Sequence, residues 1–269
     1  ATINISCSKP ETGLKDAFED YFYVGVAVNP QQIFEKDSLA KPFILKHFNS
    51  ITNEDHLKWE KVHPMPGVYD FTVADSIVAF GERNGLFIVG HTLTWHSQTP
   101  KWVFEDSLGN PLNRDALLER MKDHITTVVG RYKGRVHGWD VINEPVDDEG
   151  QIRKSKWYEI IGEDYIQKAF EFAREADPDA KLYFNDYNIE MDYKREGGLQ
   201  LIRNLLEQGV QIDGVGIQAH WLLDTPDLQE IDTTLQILAG MGLDVMFTEI
   251  DIIVIPQPLD VIGADISQF

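Results

Sequence analysis

The chain is poor in the features that would mark several protein classes. It has a single cysteine, Cys7, among 269 residues. No internal disulfide and no cysteine-built metal site can therefore form, and the redox compartment is not encoded in its thiols. Basic residues are few: 24 Lys and Arg stand against 44 Asp and Glu, a formal charge of -20. A field of that sign repels nucleic acid phosphates and anionic lipid, so neither is an expected partner, whereas a neutral substrate is compatible with it. No uninterrupted apolar run approaches the roughly 18 residues needed to cross a bilayer, so no membrane insertion is expected. Residues 1–10 lack the charged-then-apolar pattern of a signal peptide, which leaves a cytoplasmic protein or one whose signal has been removed. There is no low-complexity tract and no linker rich in Pro, Gly or Ser, so residues 1–269 read as one domain.

With 43% hydrophobic residues, the chain has ample apolar material for a large core. Seven short apolar runs recur, over residues 22–28, 49–53, 87–95, 136–144, 181–188, 214–221 and 244–252. Between them lie helical periodicities. Leu117, Met121, Ile125 and Val128 share one face, as do Ile166, Ala169, Phe170 and Ala173. Leu199, Ile202, Leu205 and Leu206 repeat the pattern, and so do Ile231, Leu235 and Leu238. Asn84-Gly85, Asp177-Pro178, Gln208-Gly209 and Met241-Gly242 close these segments as turns.

Strand–helix alternation implies a parallel sheet with helical crossovers. A doubly wound sheet announces itself by a Gly-rich turn after its first strand. Val24 to Pro30 contains one Gly inside the strand and no phosphate loop. The (β/α)8 barrel instead places its chemistry at the C-terminal ends of many strands. Here six runs end in polar or aromatic groups: Asn53-Glu54-Asp55, His91 to His96, Asn143-Glu144, Asn185-Asp186-Tyr187, Gln218 to Trp221, and Glu249 to Asp251. That pattern favours the barrel. Only seven strands are found, with the sequence stopping in the seventh loop near Ala264 to Gln268. The domain is therefore expected to lack its last βα portion and to need a C-terminal segment to close.

Glu144 and Glu249 sit at the ends of the fourth and seventh runs and should face one mouth. Two carboxylates across a pocket are the minimum equipment for cleaving a glycosidic bond, one protonated and one ionised. A His220 held between Glu249 and Asp251 would keep Glu249 charged, as a nucleophile requires. Glu144, between Asn143 and Pro145 and beside the bulk of Trp139, has fewer evident donors, which suits an acid. Taken singly, each Glu would more often be an ordinary exposed residue; Glu149, in an acidic run with Asp147 and Asp148, reads as a solvated loop. Lys58, His91, Gln98, Asn143 and Gln218 offer donors to sugar hydroxyls, and Trp95, Trp102, Tyr187 and Trp221 offer flat faces. His91, His96 and His220 form no His-x-His pair and no His-Glu-x-x-His helix, so no metal or other cofactor is expected. A Schiff-base role for Lys58 is disfavoured by its acidic neighbours.

The segments His91 to Gln98, Trp139 to Glu144, Phe184 to Asn188, Gln218 to His220 and Thr248 to Asp251 resemble, in order, the signature segments of the family-10 glycoside hydrolases, predominantly endo-1,4-β-xylanases. Lys58-Trp59-Glu60, Pro64 and Gly67 to Phe71 resemble the second-strand region of the same family. The resemblance implies a retaining reaction with Glu144 as general acid/base and Glu249 as nucleophile, oriented by His220 and Asp251. It implies that Lys58, His91, Asn143 and Gln218 hold the sugar next to the scissile bond, with Trp95 packed near it and Gln98 supporting the pocket. Glu54 and Asp55 would reach the next sugar on the non-reducing side and Tyr187 would face the leaving group. Where the family usually has Asn, this chain has Asp55, an acceptor only. The implied substrate is xylan, a polymer too large to enter a cell, hence an extracellular, periplasmic or cell-surface address. The alternatives are a cellulase or mixed β-glucanase on the same site, or a non-catalytic xylan-binding fragment of a split enzyme.

Overall fold

The computed structural model describes residues 12–34 and 39–254. Cys7 and the stretch 264–268, assigned above to the seventh loop, lie outside them. In chain order the elements are α1 (Leu14–Ala17), β1 (Gly25–Val28), α2 (Pro30–Ile33), α3 (Ala40–His47), β2 (Ser50–Asn53), α4 (Trp59–Val62), α5 (Thr72–Arg83), β3 (Phe87–Trp95), α6 (Arg114–Arg131), β4 (Gly138–Asn143), α7 (Lys156–Ile161), α8 (Tyr165–Ala176), β5 (Lys181–Asp186), α9 (Asp192–Glu207), β6 (Gly214–Ile217), β7 (His220–Leu222), α10 (Leu228–Gly240), β8 (Asp244–Phe247) and β9 (Asp251–Ile253).

The main sheet runs β1-β2-β3-β4-β5-β6-β8, every neighbouring pair parallel. Spatial order is chain order. A doubly wound sheet must reverse its order at a switch point; this one never does, so right-handed crossovers put all the helices on one face and curl the sheet. The fold is that of a (β/α)8 barrel, with seven of its strands among the described residues. Within those residues β1 pairs only with β2, and β8 only with β6.

The helix layer is built as the periodicities predict. Leu117, Met121, Ile125 and Val128 of α6 and Ile166, Ala169, Phe170 and Ala173 of α8 are buried, each large side chain contributing about 1.5–3 kcal/mol by leaving water. Trp139 of β4 is fully buried against Tyr132, ring centroids 6.3 Å apart. Its indole lies over Gly90 of β3, where an added Cβ would meet the ring at 2.2 Å. Trp139 therefore packs toward the helices and does not border Glu144, contrary to the sequence reading.

Two predicted strands are broken. The run 214–221 divides into β6 and β7 at Ala219, whose φ of 64° is left-handed. The run 244–252 divides into β8 and β9. The second halves leave the main sheet and pair with each other in parallel. Bonds from Thr248 N to Ile217 O, Glu249 N to Gln218 O and Asp251 N to Ala219 O tie the two segments together through this departure. The first strand is also shorter than expected, because Phe22 and Tyr23 lie exposed ahead of Gly25.

Candidate active site

The C-terminal ends of β2 to β6 and β8, with the small β7–β9 ribbon, converge on one mouth. Glu144 follows Asn143 directly and has a φ of 53°, a conformation that costs a non-glycine residue about 1–3 kcal/mol. Gln218 Nε2 donates to Glu144 Oε1 at 3.1 Å, and Asn143 Nδ2 lies 3.4 Å from the same oxygen. His96 Nε2 is 3.9 Å from the other oxygen. Asn185 Nδ2 donates to Asn143 Oδ1 at 2.8 Å and to Glu249 Oε1 at 3.2 Å. A chain of amides thus joins the two carboxyl groups. Asn185 can lie there because β6 has Gly216 beneath it; a Cβ at that position would meet Asn185 Oδ1 at 2.2 Å.

Glu249 is positioned by the ribbon. His220 and Asp251 are register partners across β7 and β9. The imidazole spans the two acids, with Nδ1 3.2 Å from Asp251 Oδ1 and Nε2 3.3 Å from Glu249 Oε2. Burial disfavours the charge on Glu249, but the His220 hydrogen bond, the fields of His91 and His220 and the Asn185 amide outweigh it, and its pKa lies below the ordinary carboxylate value. Burial likewise opposes a proton on His220, and its bonds and charges from Glu249 and Asp251 reverse this, raising its pKa. The arrangement is the one expected of His220, Glu249 and Asp251.

His91 is buried, its Nδ1 2.9 Å from Asp140 Oδ2. Burial works against its proton, yet the Asp140 bond and the fields of Glu249 and Asp140 raise its pKa. Lys58 Nζ sits over the Trp95 ring, 5.4 Å from its centroid, and 4.0 Å from Asp55 Oδ1. Gln98 Nε2 donates to Asp55 at 3.3 Å, and Glu54 accepts from Asn29 at 2.9 Å. Glu54, Asp55, Lys58, Trp95 and Gln98 therefore form one flank of the mouth. On the opposite flank Tyr187 donates to Asp148 at 2.6 Å. Glu149 is exposed, as expected, but the acidic run is not merely solvated, since Asp148 is tied to the mouth. Trp102 is withdrawn from the proposed sugar platform: its indole donates to Pro64 O at 3.0 Å, edge-on to His63. Trp221 donates to Glu190 at 2.6 Å and packs edge-on to Phe247.

Several participants are absent from the sequence-based site. Asn185 and Asp140 were visible as polar residues inside apolar strands, which is a usable signal. His96 next to Trp95 was weighed only as a metal ligand. Asp186 is marked in sequence only as part of a polar strand end, and Arg153 and Lys194, packed with it behind Glu144, carry no signal.

Residues 13–261 match the model of the family described as glycosyl hydrolase family 10. This chain belongs to that family. A relative from Dictyoglomus thermophilum named "Beta-1,4-xylanase" is 46% identical over 241 residues, covering 89% of this chain and 66% of its own length. The structure of a family-10 endoxylanase from a sugarcane soil metagenome superposes with a TM-score of 0.91 at 44% identity, over 95% of this chain and 74% of that one. The intracellular xylanase of Thermoanaerobacterium saccharolyticum superposes with a TM-score of 0.86 at 40% identity, over 91% and 78%. In this family-10 glycosyl hydrolase the two mouth carboxylates stand just past strand ends, Glu144 directly after β4 and Glu249 between β8 and β9.

Proposed function

We propose that this chain catalyses endo-hydrolysis of β-1,4 bonds in xylan with retention, Glu249 acting as nucleophile and Glu144 as acid/base. The observation that carries this reading is the His220 imidazole between Asp251 and Glu249, which holds one carboxyl anionic in a mouth it shares with a second. Glu144 protonates the glycosidic oxygen as Glu249 attacks the anomeric carbon, giving a covalent glycosyl-enzyme. Glu144, now ionised, takes a proton from water, which releases the sugar with its original configuration. Both steps are carboxylate chemistry and call for no cofactor.

His91, Asn143, Gln218 and Lys58 supply donors to the sugar at the cleavage point, Trp95 its apolar face, and Glu54, Asp55 and Gln98 the next unit. Tyr187 borders the leaving group. A polymeric substrate argues for an extracellular, periplasmic or cell-surface site of action, which cell fractionation checks directly.

Reducing-end release from xylooligosaccharides against cellooligosaccharides tests the substrate, and the anomer first seen by NMR tests retention. Glu144→Ala should lower kcat/KM on xylooligosaccharides by about 10²–10⁴-fold. It should spare an activated dinitrophenyl xylobioside, whose leaving group needs no proton. Equal losses on the two substrates would remove Glu144 from the acid role.

A further inference from the structure

Behind Glu144, every backbone polar atom of the turn Glu144-Pro145-Val146 has a partner. Glu144 N donates to Asn185 O at 2.9 Å, and Arg153 N donates to Pro145 O at 2.7 Å. Arg153 Nε donates to Glu144 O and Arg153 Nη2 to Val146 O, both at 2.9 Å. Val146 N donates to Asp186 Oδ2 at 3.1 Å. Proline has no N–H, so the accounting is complete. Three of these five bonds come from Arg153, two of them from its guanidinium. The same Nη2 reaches Tyr187 OH at 2.9 Å. Beneath the turn, wholly buried Lys194 and Asp186 are 2.7 Å apart, and Asp186 also accepts from Tyr187 N at 2.9 Å.

This investment surrounds the residue whose backbone is left-handed at φ 53°. An isolated strand end would relax out of that conformation and swing its side chain away. We propose that Arg153 is a positioning residue for proton transfer: by gripping the carbonyls of Glu144 and Val146, its guanidinium holds the left-handed turn that aims the Glu144 carboxyl at the glycosidic oxygen. Asp186, anchored by Lys194, grips the same turn from the amide side. The other tie of Arg153 to the mouth is the Tyr187 hydroxyl, which Tyr187→Phe removes by itself. The inference rests on the acid/base reading of Glu144.

The test uses the full-length enzyme carrying this sequence, with Arg153→Met, Arg153→Lys and Glu144→Ala assayed on the same two substrates. A misplacement near 1 Å is worth roughly 10²-fold, so Arg153→Met should lose about that much kcat/KM on xylooligosaccharides. On dinitrophenyl xylobioside it should lose less than about 3-fold, as expected when only proton donation is impaired. Arg153→Lys, which keeps one donor but not the fork, should fall between. It also serves if Arg153→Met does not fold. Arg153 variants that lose equally on both substrates, beside a Glu144→Ala that discriminates, overturn the inference alone. So does a Tyr187→Phe that reproduces the Arg153→Met pattern on the two substrates. A Glu144→Ala that does not discriminate overturns the acid/base assignment and the inference with it.

Discussion

His91 and His220 line the mouth, while His63 and His124 lie side by side among rings in the helix layer. His63 ends α4 and its Nδ1 is 3.2 Å from His124 Nδ1 on α6. Burial pushes all four toward the neutral form, and the neighbours decide the outcome. In the mouth, carboxylates overturn burial: Asp140 and Glu249 face His91, Glu249 and Asp251 face His220, and both pKa values rise. In the helix layer nothing overturns it. His124 is stacked on Trp59 with centroids 3.6 Å apart, and His63 on Tyr69 at 3.8 Å. Burial brings His63 down to about 4 despite Asp123, with Arg120 adding to the fall, and burial and His63 push His124 well below its usual value. One residue type thus serves as a carboxylate-bound brace that holds its proton more tightly in one place and a flat neutral filler in the other.

The sharpest way to break the mouth half of this comparison is Glu249→Gln. It removes the nucleophile, and turnover should fall by roughly 10⁴-fold or more while xylooligosaccharide binding persists. It also removes an anion that raises both His91 and His220, so their imidazole NMR titrations should move to lower pH. Titrations that stay in place would mean the carboxylate does not set the proton affinity of the pair. His220→Asn is the milder change. Loss of a charge-assisted hydrogen bond is worth about 1.5–3 kcal/mol, or roughly 10- to 100-fold in rate. Glu249 is held low, so it stays ionised to low pH. Without His220 its pKa rises and the acid limb of kcat/KM should shift to higher pH. A lowered but unshifted profile would reduce His220 to packing.

Sequence showed the His220 brace clearly and the rest of the mouth unevenly, for physical reasons. Read as one strand, Glu249 and Asp251 are two apart and share a face, so a His on the neighbouring strand has one place to go; the run breaks ahead of Asp251, and the β7–β9 pairing keeps the contact. The barrel was legible because polar residues at six strand ends have no other common explanation. The break at Ala219 was not, because an alanine in a left-handed conformation has no compositional mark. Trp102 was misplaced because an indole stacks equally well on a sugar or inside a helix layer, and what decides is Pro64 O opposite its N–H; the bulk of Trp139 was set beside Glu144, and what draws it to the helix layer is Gly90 opposite its ring. Arg153 was invisible because it binds main-chain carbonyls, which every residue has.

The helix-layer half is tested by stability in acid, the smallest effect. A histidine neutral in the fold and free in the unfolded chain takes up a proton on unfolding at any pH between its two pKa values. For His63 that window runs from 6.5 down to about 4. Within it the unfolded state binds more protons, so stability falls as pH falls, by at most about 1.4 kcal/mol per pH unit per histidine. His124, also pushed well below its usual value by burial, adds a second proton on unfolding in the same direction. His63→Gln keeps a side chain able to donate to His124 Nδ1 and cannot titrate. The variant should melt close to the parent at pH 7 and lose stability less steeply between pH 6 and 4.5, the two curves diverging by roughly one proton's worth of slope. Parallel melting curves across that range would show that His63 is already protonated in the fold, and that rings without a carboxylate do not suffice to keep an imidazole neutral.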